Sequence, residues 1–203
     1  MHTRRHTAAF TLVELLVVLV ILAIIVAVSA PYISGIVTAS RLRTASDAVY
    51  ARLLEAQSLA TLFNADTELR IYEAVDLIEP DSPPTLRKLR IFTVTSPQDG
   101  AASAAEVFEP AGAVTTLEDG MVISNERTLS SILDLGYQTH GSDIYGRYIA
   151  LRFHPDGSTQ LQNGKPWFLT IQENKAVPPG QKLKNFITVQ IDPASGSLRT
   201  FQP

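Results

Sequence analysis

Residues 10–30, FTLVELLVVLVILAIIVAVSA, form an apolar run of 21 residues interrupted by one charge, Glu14. As a helix this run extends about 31 Å at 1.5 Å per residue, the thickness of a bilayer core. A carboxylate at the centre of such a span costs roughly 2.5–3.5 kcal/mol, and less toward the interface. A charge kept at that cost implies a partner that the isolated segment does not supply.

The remainder of the 203-residue chain has the composition of an ordinary folded domain, with room for one domain and an appendage. Cysteine is absent, which excludes disulfide staples, thiolate catalysis and thiolate metal sites. The leader MHTRRHTAA carries Arg4 and Arg5 and no acid, so the positive-inside rule keeps it cytoplasmic and places the chain beyond residue 30 on the far side. From Phe10 onward 15 basic side chains face 20 acidic ones, a balance of −5 that argues against broad binding to nucleic acid. A cleaved secretory signal is disfavoured by the length of the run and by Pro31 directly after AVSA. A plain signal anchor accounts for length and orientation but leaves Glu14 unexplained.

Pro31 is expected to bend or loosen the helix. Beyond it Leu42, Ala45, Val49, Leu53, Ala56, Ala60 and Phe63 recur at steps of three and four, one apolar face for packing on a head domain. NADTE (64–68) ends the helix. Strands are then expected at ELRIYEAVDLI (68–78), LRKLRIFTVTS (86–96), YIALRFH (148–154), PWFLTIQ (166–172), FITVQID (186–192) and SLRTFQP (197–203). Residues 97–113, rich in Ala, Gly and Pro, are expected to form an exposed loop. The turns PDG (155–157) and PASG (193–196) predict antiparallel pairing. The expected fold class is α+β: a long N-terminal transmembrane helix and an antiparallel β-rich head. The organisation is a leader at 1–9, a membrane helix at 10–30, its amphipathic continuation at 31–65 and an extracytoplasmic head at 66–203.

Reactive chemistry is sparse. There is no HExxH, no phosphate-cradling glycine loop and no nucleophile elbow. His154, before the PDG turn, is expected at a strand end. His140, Asp143 and Tyr145 in HGSDIYGRY fit an exposed glycine- and aromatic-bearing loop, and Trp167 and Phe168 fit a strand core. No catalytic residue, metal ligand or cofactor site is expected, and the chain reads as a non-enzyme.

The segment AFTLVELLVVLVILAIIVAVSAP resembles the N-terminus of type IV prepilins and pseudopilins: a basic leader, a small residue, Phe-Thr-Leu-hydrophobic-Glu, then an apolar helix. The resemblance places the prepilin peptidase cleavage between Ala9 and Phe10, N-methylation on Phe10, and the assembly contact on Glu14, which pairs with the N-terminal amine of a neighbouring subunit. Ala9 stands where the family carries glycine, so slower processing is implied. Pro31 falls where many pilins have a helix-loosening proline.

LRFHPDGSTQL and ITVQIDPASGSLRTF are similar to the head of minor pseudopilins of the GspH/FimT type. Together with WFLTIQ and the N-terminus they resemble the Verru_Chthon cassette protein D family. The resemblance implies a minor pilin or pseudopilin of a type IV pilus or type II secretion pseudopilus, spanning the bacterial inner membrane once. Its implied partners are the peptidase, other pilin subunits, an inner-membrane assembly platform and membrane lipid. Some FimT-type pilins bind DNA near the C-terminus, which singles out Lys175, Lys182 and Lys184 as candidate contacts. A DNA-binding uptake pilin and an unprocessed, permanently anchored binding protein are the alternatives.

Overall fold

The computed structural model describes residues 11–75, 82–95, 106–139, 145–175 and 183–203, and of residues 28–34 the backbone alone. It divides the chain into two units, Met1–Ala39 and Ser40–Pro203.

One helix, α1, covers Leu12–Phe63 and is continuous through Pro31. Among the described residues no helix is long and apolar enough to cross a membrane. The expected span at 10–30 is therefore met only in part. Apolar side chains are described from residue 12 to residue 27, about 24 Å of helix against a core of about 30 Å. Phe10 and the side chains of 28–30, which complete the run in the sequence, lie outside the described residues.

The helix stops at Asn64, which takes the left-handed conformation (φ 48°), and the Ala65 N–H donates to the Ala60 carbonyl over 3.2 Å. This is a Schellman-type closure, in which a left-handed residue lets the chain fold back onto the last carbonyls. Leu42, Ala45, Val49, Leu53, Ala56 and Ala60 are all buried. Phe63 departs from the expected face. It is 58% exposed, because the chain turns away at Asn64 and leaves it at the rim of an open groove with Ala65, Thr93 and Pro110.

Among the described residues eight strands come after the helix: β1 Asp66–Ala74, β2 Thr85–Thr95, β3 Val107–Thr116, β4 Met121–Ile123, β5 Tyr148–Phe153, β6 Trp167–Glu173, β7 Phe186–Ile191 and β8 Leu198–Phe201. All pair antiparallel in the order β5-β1-β2-β4-β6-β7-β8. The free side of β2 is shared: Leu86 pairs with β4, and residues 88–95 pair with β3. The N-terminal helix and antiparallel sheet are consistent with an α+β, pilin-like fold.

Alternation sorts the sheet into two faces. Leu69, Ile71, Leu89, Ile91, Leu151 and Leu169 join the buried helix residues in the main core. Thr67, in the same face, donates its hydroxyl to the Ala56 carbonyl at 2.7 Å, closing a polar gap between helix and sheet. A smaller aromatic cluster of Tyr72, Phe92 and Tyr148 forms apart from that core.

Residues 97–113 are not all loop, because β3 begins at Val107. Pro110 and Gly112 hid the strand, yet both suit its position. Pro110 lacks an N–H that an edge strand can spare. Gly112 (φ 84°) lies where the register shifts between Leu89 and Ile91. Neither the short β4 nor the 3-10 turn at Ser131–Leu135 was expected. The strand expected to reach residue 78 ends at Ala74, and 76–78 lie outside the described residues.

Three side chains fasten the head. Arg52 reaches from the helix to β3, donating to Thr115 Oγ1 (2.5 Å) and the Ala113 carbonyl (3.1 Å), while Glu55 holds its remaining nitrogen at 2.6 Å. Gln57 donates to two carbonyls at once, Gly157 (3.1 Å) and Ser195 (2.8 Å). The turns read from PDG and PASG thus converge on one glutamine.

Candidate functional site

The first turn of a helix has four N–H groups without intrahelical partners. Here Thr11 and Glu14 close it reciprocally. The Glu14 N–H donates to Thr11 Oγ1 (3.3 Å), while the Thr11 N–H and hydroxyl both donate to Glu14 Oε2 (2.9 Å each). This is a capping box, T-x-x-E, a signal present in the sequence at 11–14 that points to Thr11 as well as Glu14. Both contacts use Oε2, and among the described residues Oε1 has no partner. Ala9 and Phe10 lie outside the described residues.

Above this turn the helix exposes its hydrocarbon on every side. Leu12 is 82% exposed, and residues 15–22 stay near half exposed or more. An apolar surface of this extent, continuous around a helix, is the mark of lipid or of other helices as the natural surroundings.

The head carries charge in closed arrangements. Arg70, fully buried, lies 4.2 Å from the ring centre of Phe92 and 4.4 Å from those of Phe108 and Tyr148, with Glu68 at 2.7 Å from its Nε. Aromatic faces and one carboxylate together make such a cation tolerable inside a protein. Arg152 bonds Glu68 (3.0 Å) and Glu106 (2.8 Å); the Glu106 pairing, foremost, raises the guanidinium pKa and lowers that of Glu106. Tyr137 is pushed up to about 12, by burial first and then by Glu73. Asp192 is held below the usual carboxylate range by the N–H groups of Ser195 and Ala194, which it accepts inside the PASG turn.

The remaining sequence candidates scatter. His154 sits just past β5 with Nδ1 at 2.9 Å from Asp66, while His140 and Asp143 lie outside the described residues. Tyr145 packs edge-on against Tyr72 at 5.4 Å between ring centres. Trp167 is buried, its indole N–H donating to the Gln162 carbonyl, and Phe168 is half-buried. Of the three lysines, Lys175 is paired with Glu173 at 2.6 Å, Lys184 is exposed and Lys182 lies outside the described residues. Among the described residues no group of three or more His, Asp or Glu side chains could hold a metal ion. Gln57 had no readable signal, since its role depends on two turns far away in sequence.

Residues 4–30 match the family model described as the prokaryotic N-terminal methylation motif. The match covers the leader from Arg4 onward, the capping box and the apolar run, and it supports a type IV pilin-like protein. The motif implies processing by prepilin peptidase and assembly with other pilin subunits, and it points to a structural subunit rather than an enzyme. No match was found among curated proteins or among solved structures.

Proposed function

We propose that the chain is a minor pilin or pseudopilin of the GspH/FimT type, with the motif pattern of the Verru_Chthon cassette protein D family. Prepilin peptidase cleaves between Ala9 and Phe10, and the new amine of Phe10 is methylated. Residues 10–30 anchor the subunit in the inner membrane and later form the filament core. Residues 31–65 continue the helix onto the head, and residues 66–203 face the extracytoplasmic side.

The observation that carries this reading is the methylation motif seated on a helix whose first turn is closed by Thr11 and Glu14. Capping takes one carboxylate oxygen and leaves Oε1 for the amine of a neighbouring subunit. A charge in an apolar setting is tolerated when paired and strongly unfavourable when its partner is removed. Register in the filament then follows from where that amine finds Glu14.

The test is intact-mass and N-terminal peptide analysis of the protein expressed with and without a prepilin peptidase. A chain beginning at methylated Phe10 only when the peptidase is present supports the reading. Retention of residues 1–9 under both conditions overturns it in favour of a permanent anchor. Glu14→Ala should then be cleaved normally and fail to assemble.

A further inference from the structure

The turn that leads into β6 holds the one Asn-Gly step in the sequence, Asn163-Gly164. We propose that Asn163 is a site of spontaneous covalent modification, deamidation by way of a cyclic imide, and that the change is felt at Trp167. The inference stands apart from the pilin reading and does not depend on it.

The reaction needs a neutral side-chain amide, a following backbone nitrogen that no side chain crowds, and freedom to bring the two together. The Gly164 nitrogen bonds to Asn163 Cγ and gives up its proton, and the side-chain nitrogen leaves as ammonia carrying that proton. Water then opens the five-membered imide at either carbonyl. One product is ordinary aspartate. In the other the main chain runs through the former side chain and is one methylene longer.

The described residues single out this step. Asn163 is exposed, and neither its amide nor the Gly164 N–H has a hydrogen bond among them. Gly164 has φ 83°, and a Cβ there would meet nothing within 4 Å, so the turn is uncrowded. Two Asp-Gly steps are held instead. Asp156 Oδ1 accepts the N–H and hydroxyl of Ser158 at 2.9 and 2.6 Å, while the Gly157 N–H donates to the His154 carbonyl at 2.9 Å. Asp119 accepts from Arg87 at 3.1 Å. Asn64, Asn125, Asn174 and Asn185 each precede a residue whose side chain crowds the attacking nitrogen.

The consequence reaches Trp167, the sole tryptophan, which is 4% exposed. Its indole N–H donates to the Gln162 carbonyl at 2.9 Å, and residue 163 lies inside the ring which that bond closes. An added methylene lengthens the ring and loosens the clasp. Lys165, bonded to Asp134 and 4.5 Å from the Trp167 ring centre, also acquires a new carboxylate two residues away.

The experiment holds the full-length protein in detergent for days, in mildly alkaline buffer made with heavy-oxygen water, beside a urea-unfolded sample. Peptide mass analysis should find Asn163 converted ahead of every other asparagine, as two separable acids that each carry one heavy oxygen. Trp167 emission should move to longer wavelength as the isomer accumulates. Asn163→Gln should abolish both changes. Fresh Asn163→Asp, which adds the charge without lengthening the main chain, should keep the original emission. An amide retained in the folded protein but lost in the unfolded one, or another asparagine converting first, would overturn the site. Conversion with unchanged emission would overturn its coupling to Trp167.

Discussion

At the scale of single residues the head is governed by a few positions with no latitude. Gly196 has φ 64°, and a Cβ there would meet Gln57 Nε2 at 2.5 Å and collide with the Gly157 carbonyl. Gly196→Ala should therefore destabilise the protein by about 2–4 kcal/mol, combining left-handed strain with overpacking. A fall in melting temperature of the full chain in detergent checks it. Glu106 gives a pH-dependent case. Its pKa is lowered chiefly by the hydrogen bond from Arg152, so its stabilising effect is present above the ordinary carboxylate value and disappears as pH falls through the lowered one. The side chain is 40% exposed, which limits the effect to about 1 kcal/mol or less. Glu106→Gln should lower the melting temperature slightly at pH 7, and the gap to wild type should close on acidification below about pH 4. At this scale Glu14 announced itself in the sequence as a lone charge. Thr11 was equally legible as the other half of T-x-x-E, but only to a reader asking how the first turn satisfies its N–H groups.

At the scale of elements the helix was the most legible part, because a period of 3.6 over 20 residues leaves few alternatives. Its failure at Phe63 is instructive: periodicity predicts a face, whereas the Schellman turn decides where the face ends. The contrast is measurable. Leu53, fully buried, should cost about 2–5 kcal/mol on Leu53→Ala. Leu62→Ala and Phe63→Ala, both exposed, should stay within about 0.5 kcal/mol. Denaturant titration of the three variants separates the cases, and a large loss at Phe63 would return it to the core. The sheet was legible where alternation and turn residues coincided, as in β5 and in the β7–β8 hairpin. It was not legible in β3, where Pro110 and Gly112 argue against a strand unless its edge position is known. The three-residue β4 was too short for any pattern, and it exists because β6 and the start of β2 lie where it can pair.

At the scale of the whole molecule, the methylation motif and the pilin-like order of helix before sheet agree with the reading of the N-terminus. The cavity between β2, β4 and β6 was not legible, because it assembles residues from 82 to 175 that no linear motif connects. Processing gives the prediction that belongs here. On the proposed cleavage between Ala9 and Phe10, Ala9→Gly should speed conversion to the mature form several-fold, with head stability unchanged. Pulse-chase followed by mass analysis checks this, and equal rates would show that alanine serves as well as glycine.

Gln57 bonds carbonyls 100 and 138 residues later in the chain. During synthesis the helix emerges long before the segment carrying Ser195, and bonds between such distant partners form late. The head therefore exists for a time with its sheet open at β8 and its helix face only partly covered. The turn at 192–196 acts as the latch that closes it. Until that latch closes, Gln57 lacks one of its two carbonyls, so the helix and the two turns are joined only after Ser195 has been made.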